Sequence, residues 1–132
     1  MPLVLDTCTL VWLATDDSSL LSAAAQRALS QLDNTRLVSV ISLVEIHRLI
    51  RKQAIRLSMP DDVRAWFEAH CAHHRISILS ITSEIADRAE LLPLIHKDPA
   101  DRFIIATAQV LGASIITPDA LIPRYPGVQV IW

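Results

Sequence analysis

The apolar positions of the chain alternate between short runs and longer stretches with helical spacing. Val4 and Leu5 close a brief apolar run that stops at Asp6, the pattern of a buried strand. A brief helix is expected over Leu10 to Ala14. Leu21, Ala24, Ala25, Ala28, Leu29 and Leu32 recur at helical intervals, which predicts an amphipathic helix from Ser19 through Leu32. Arg36 to Val40 reads as a second strand. Ser42-Leu43-Val44-Glu45 matches a capping box, so a helix is expected from Ser42 to about Gln53. Pro60 and Asp61 announce another, reaching about His70, with Trp66 and Phe67 as its only aromatic bulk. Ile76 to Ile81 alternates apolar and polar side chains, as a strand does. Thr82 or Ser83 caps a helix that ends before Pro93. Asp98-Pro99 opens the last helix, with Asp98 as N-cap and Pro99 in the first helical position. From Phe103 through Leu111 this helix is apolar nearly all round, and deep burial is expected. Ser114 to Thr117 and Val128 to Trp132 complete the set as strands.

Strands alternating with helices point to an α/β fold in a single domain, residues 1–132, with an open parallel sheet covered on both faces. Composition narrows the chemistry. With 52% apolar and 20% charged residues, disorder is excluded for most of the length. Aromatics are only 5%, so the core must be aliphatic. The two glycines, Gly112 and Gly127, are too few for a phosphate-binding loop or a dinucleotide fingerprint. No Gly-x-Ser-x-Gly elbow occurs, which sets aside the usual serine hydrolase.

A net charge of −2 means that nucleic acid must be met by a local basic patch. Cys8 and Cys71 lie far apart, so neither a disulfide framework nor a zinc ribbon is indicated. No basic segment precedes Asp6, so no signal peptide is expected. The longest uncharged run, Phe103 to Pro118, is too short and too interrupted to span a bilayer. A cytoplasmic protein without a membrane partner is the expectation.

Four acidic residues fall at equivalent places in this pattern. Asp6 ends the first strand, Glu45 and Asp101 lie in the first turns of helices, and Asp119 follows the strand ending at Thr117. In an open parallel sheet, strand C-termini and the helix N-termini after them share the edge where ligands bind. Carboxylates gathered there repel one another and raise one another's pKa. A divalent cation removes the conflict, and Mg²⁺ or Mn²⁺ suits an all-oxygen set. Three of the acids also have an ordinary role. Glu45 fits a capping box with Ser42, Asp101 suits a helix dipole, and Asp119 suits a turn after Thr117-Pro118. Asp6 is different, since an acid closing a buried apolar strand needs a partner.

Leu5-Asp6-Thr7, Ser42-x-x-Glu45, the run from His96 through Asp98-Pro99-Ala100-Asp101-Arg102 to Ala106, and Ile116-Thr117-Pro118-Asp119 resemble the PIN-domain family. More narrowly they resemble the VapC-type toxins of bacterial toxin–antitoxin pairs, in order along essentially the whole chain. The resemblance implies a three-layer α/β/α PIN-like fold with a central parallel sheet. It also implies a Mg²⁺- or Mn²⁺-dependent endoribonuclease, a cognate antitoxin and a homodimer. The family's metal-binding acids correspond to Asp6, Glu45, Asp101 and Asp119, which are therefore the candidate catalytic residues. Asp6 and Asp101 are the expected primary ligands. Glu45 would bind through water or orient the nucleophile, and Asp119 would complete the cluster. Asp98 reads as a cap and a supporting group, while Thr7 and Thr117 would bond ligand carboxylates or metal-held water.

The densest basic stretch is His47, Arg48, Arg51, Lys52 and Arg56. It is either a solvated helix face or a track for RNA phosphates, with Arg48, Arg51 and Lys52 as the contacts. Leu49, Ile50 and Ile55 interleave with it, which would also suit a partner groove. His70, His73 and His74 crowd a helix end but lack a completing acid or cysteine, so no zinc site is assigned. Cys8 reads as packing, and His96 as a loop hydrogen bond. The competing function is a PIN-fold module that holds RNA or protein without cutting, and an intact set of four acids argues against it. A phosphoacceptor signalling domain would need paired acids beside Asp6, and position 7 is Thr.

Overall fold

Strand β1 (Pro2–Leu5) and α1 (Thr7–Ala14) meet at Asp6, and the chain continues through α2 (Ala23–Ser30), β2 (Thr35–Ser39), α3 (Ile41–Arg51), α4 (Val63–His73) and β3 (Ile76–Leu79). It then runs through α5 (Ser83–Leu91), α6 (Pro99–Leu111), β4 (Ser114–Ile116) and β5 (Gln129–Ile131), with 3-10 turns at Ser18–Leu20 and Ile122–Arg124. This computed structural model describes residues 1–57 and 61–132. The sheet order is β3-β2-β1-β4-β5 and every pairing is parallel. The chain therefore winds outward from β1 through β2 to β3, then crosses back to β4. The switch in direction falls between β1 and β4, the place where such sheets open a crevice at their strand C-termini.

Alternation along the strands builds two cores. Leu3, Leu5, Val38 and Ile116 face one side, packing with Leu10 and Val11 of α1, Leu29 of α2, Ile46 of α3, and Trp66 and Phe67 of α4. Val4, Leu37 and Ile115 face the other, against Ile85 and Ala89 of α5 and Ile104, Ile105 and Ala108 of α6. Helices cover both faces of the parallel sheet, giving the three-layer α/β/α arrangement expected from the sequence.

Several element ends differ from expectation, each for a local reason. Helix α1 starts at Thr7 instead of Leu10, because Asp6 leaves the strand and becomes its N-cap. The helix expected from Ser19 to Leu32 is a 3-10 turn followed by the shorter α2. Ser22 is the true cap, its hydroxyl accepting from the Ala25 N–H at 3.0 Å. Leu21 is buried ahead of that cap, and Leu32 lies past the helix at 85% exposure. Pro60 lies outside the described residues. Helix α4 is capped by Asp62 and runs past His70 to His73. Strand β3 stops at Leu79, two residues before Ile81. Helix α5 is capped by Thr82.

The box at Ser42 does not cap. Helix α3 begins one residue earlier, at Ile41, with no side chain capping it, and Ser42 is wholly buried. Asp98 does cap α6, accepting from the Ala100 N–H at 3.0 Å, and Gly112 closes that helix in the left-handed region at φ 62°. Ile104 to Ala108 are buried as expected, whereas Leu111 is exposed.

Buried Arg102 ties α6 to α5. Its guanidinium donates to the carbonyls of Ala89 at 2.8 Å, Pro93 at 3.0 Å, Leu92 at 3.1 Å and Glu90 at 3.5 Å. These include carbonyls that the last turn of α5 leaves without helical partners. Arg102 has no carboxylate partner among the described residues. The clamp fixes the loop that leads into Asp98 and Asp101.

Candidate functional site

Asp6 sits where β1 gives way to α1, buried beside the switch point. One carboxylate oxygen accepts from the Thr7 N–H at 2.6 Å, and the other accepts from the Thr117 hydroxyl at 2.5 Å. Thr117 extends from β4, so this bond joins the two strands on either side of the crevice. The same hydroxyl accepts from the Asp119 N–H at 3.1 Å. Sequence reasoning required a partner for the strand-end acid, and Thr117 supplies it.

Glu45 reaches the same place from α3. The Thr7 hydroxyl lies 3.1 Å from Glu45 Oε1, to which it donates, and 2.8 Å from the Ser42 hydroxyl. Ser42 and Glu45 thus share Thr7 of α1 instead of capping their own helix. Their spacing puts them nearly one turn apart, on the side of α3 that faces α1.

Asp101 is buried in the first turn of α6, placed by the Asp98 cap and Pro99. Carboxylate oxygens of Asp6, Glu45 and Asp101 all come within 4.8 Å of one another. A second group of the same tightness contains His96, Asp101 and Asp119. The four predicted acids therefore meet as two triads that share Asp101, and His96 stands in one of them. His96 Nε2 is 2.8 Å from Asp119 Oδ2 and 3.1 Å from Asp101 Oδ2. Asp119 also keeps its turn role, accepting from the Leu121 N–H at 2.8 Å.

Burial dominates the electrostatics of the first triad. It pushes Glu45 up to about 7 and Asp101 up to about 8, and in both the charge of Asp6 adds to the shift. Burial also raises Asp6, although the hydrogen bonds from Thr117 and Thr7 work against it. For His96 burial lowers the pKa, but the bond to Asp119 and the charges of Asp101, Asp119 and Asp98 outweigh it, and the net shift is upward. Three acids that resist joint ionisation, with oxygen donors only, form a set that a hard divalent cation would relieve. The residues fit such an ion by the chemistry of their donors.

Arg48, on α3 beyond Glu45, places Nη1 3.8 Å from Asp98 Oδ1, with both side chains well exposed. Arg51 ends α3, Lys52 is its C-cap, and both are exposed. Glu45, Arg48 and Lys52 fall at intervals of three and four, so basic groups line the helix leading away from the acids. His70 packs against Trp66 and stacks with His74, His73 meets His74 edge-on, and the three form no metal group among the described residues. Cys8 sits 3.8 Å from Asp6 Oδ2, and burial pushes its thiol up to about 12, which makes it inert. His96 is the site residue that sequence reasoning placed outside the cluster. Its position ahead of Asp98-Pro99 was the available signal.

The chain is similar to known proteins. The model of the PIN domain family matches residues 3–128. Ribonuclease VapC22 of Mycobacterium tuberculosis is 32% identical over 132 residues, covering 98% of this chain and 97% of that protein. Among solved structures, VapBC2 from Rickettsia felis, bound to a DNA fragment from their promoter, aligns with a TM-score of 0.71 at 17% identity over 98% of this chain and 97% of that one. DNA-bound VapBC from Salmonella typhimurium gives 0.67 at 20% identity over 98% and 96%. At these identities the structural likenesses establish the fold alone.

Proposed function

The chain belongs to the PIN domain family, and on that premise we propose that it is a Mg²⁺- or Mn²⁺-dependent endoribonuclease, the toxin of a toxin–antitoxin pair. The main support is the meeting of Asp6, Glu45 and Asp101 at the switch-point edge of the sheet, their oxygens within 4.8 Å of one another. The reaction is hydrolysis of an RNA phosphodiester. Water adds at phosphorus, one bond from phosphorus to a ribose oxygen breaks, and a proton passes to that oxygen.

Asp6, Glu45 and Asp101 would hold the cation, with Asp119 completing the cluster. When bound, Mg²⁺ or Mn²⁺ stabilises negative charge on the phosphate and lowers the pKa of water. The chain supplies the rest. Thr7 orients Glu45, and Thr117 holds Asp6 while fixing the turn that carries Asp119. Asp98 sets the start of α6 and thereby Asp101. Arg48, Arg51 and Lys52 would follow the RNA backbone toward the acids.

The relative VapC22 is a ribonuclease by name, and the Rickettsia and Salmonella structures are VapBC complexes. A cognate antitoxin is accordingly the protein partner, with a second copy of the chain as dimer mate and the cytoplasm as the compartment. No helix among the described residues is long and apolar enough to cross a membrane.

The test is cleavage of total RNA with and without Mg²⁺, wild type beside Asp6→Asn and Asp101→Asn. Both variants are expected to stay folded by circular dichroism and to lose cleavage. Cleavage that persists in both, or that ignores chelation of divalent ions, refutes the reading.

A further inference from the structure

His96 is the one group in the cluster whose task the acids do not define. Its imidazole bridges two carboxylates carried by separate parts of the chain, Asp101 on α6 and Asp119 after β4. Its backbone N–H donates to the buried Tyr125 hydroxyl at 2.7 Å, which ties the loop ahead of α6 to the turn that follows Asp119. Its Nδ1 accepts from the Asp98 N–H at 3.3 Å. A backbone N–H can only donate, so Nδ1 must offer its lone pair there. In the neutral ring the single proton then sits on Nε2. A doubly protonated ring carries a proton on Nε2 as well, but gives up the bond from the Asp98 N–H. In either form Nε2 has no lone pair for a cation, and it points a hydrogen between Asp119 Oδ2 and Asp101 Oδ2.

We propose that His96 is a positioning residue, an Nε2–H donor that holds Asp101 and Asp119 side by side at the cation site, itself located by Tyr125 and the Asp98 N–H. The inference rests on the reading of the acids as cation ligands. Groups that orient metal-binding carboxylates in this way typically govern affinity tenfold to a hundredfold without touching the ion. His96 would account for the coming together of Asp119 and Asp101, since the other bonds of Asp119 run to Thr117 and Leu121 of its own turn.

Two measurements test it. Two-bond proton–nitrogen spectra of the ¹⁵N-labelled protein without divalent ions should show a proton on His96 Nε2, with Nδ1 accepting wherever the ring is neutral. A neutral ring with its proton on Nδ1 overturns the proposal whatever the cation does. Mn²⁺ binding by calorimetry then compares variants. His96→Gln carries an amide N–H to about the place of Nε2 and should keep affinity within about threefold. His96→Asn is too short and should lose about tenfold or more. Tyr125→Phe keeps the ring packing and should bind several-fold more weakly with unchanged circular dichroism. Wild-type affinity in His96→Asn, or a loss in His96→Gln equal to that in His96→Asn, overturns the role. A wild-type protein that binds no Mn²⁺ refutes the cation reading, and the nitrogen spectrum still decides the state of His96.

Discussion

Replacing Arg102 by Met removes a buried charge and its donors but keeps the length of the stem. Three of the four bonds to the end of α5 are 3.1 Å or shorter. Hydrogen bonds from a charged donor contribute about 1.5–3 kcal/mol each, and taking a guanidinium out of water costs several kcal/mol in return. The net loss is therefore well below the sum of the bonds, at about 3 kcal/mol. Many buried ion pairs tolerate apolar replacement because both partners are removed together. Here the carbonyls of Ala89 and Leu92 remain behind and lose their donor. Against a total stability of about 5–15 kcal/mol the change is large. With a urea slope of about 2 kcal/mol/M it lowers the midpoint by about 1.5 M. Arg102→Lys keeps the charge but offers one nitrogen in place of a fork, and should recover about half of the loss. Urea unfolding followed by circular dichroism measures both. A midpoint within about 0.3 M of wild type in Arg102→Met, or no difference between Arg102→Lys and wild type, refutes the clamp.

Two further outcomes follow from the charges. Glu45 at about 7, Asp101 at about 8 and the raised His96 all favour the protonated form in the folded state. Stability from these groups is complete below their ordinary values and is lost as pH rises through the folded ones. Without divalent ions the melting temperature should fall between about pH 5 and pH 8, and Mg²⁺ or Mn²⁺ should reverse the trend by binding more tightly as those protons leave. A flat apo profile across that range, or cation affinity that weakens toward pH 8, counts against the coupled acids. Neutralising Arg48, Arg51 and Lys52 together in an Asp6→Asn background should weaken RNA binding and flatten its log–log salt slope by about 0.7 per lost phosphate contact. An unchanged slope assigns the stretch to a protein partner instead.

The parallel sheet and its helices were legible because strand and helix periods differ and because Asp98-Pro99 and Thr82 punctuate them with strong backbone preferences. The acids were legible by their place relative to those elements. Less legible were choices that tertiary contacts make. The helix expected from Ser19 is capped at Ser22 instead, where Leu21 and Ala25 on either side pack into the core. Ser42-x-x-Glu45 satisfies the pattern of a capping box, yet the same spacing puts both side chains against Thr7 of α1, and that contact wins. The sequence assigned Arg102 no role, and its guanidinium turns to the carbonyls ending α5. His96 reaches Asp101 within its own motif and Asp119 23 residues later in the chain, and no local pattern encodes the second contact.

The bond from Thr117 to Asp6 spans 111 positions of the chain. Protein synthesis proceeds at about 5–20 residues per second, so roughly 6–20 s pass between the appearance of the first partner and the second. During that interval β1 and β2 can pair, and α1 and α3 can bring Thr7 to Glu45. The edge of β1 that faces β4 stays open, and Asp101 and Asp119 are still to come. The proposed cation site is complete only once Asp119, the last of its four acids in chain order, has been made.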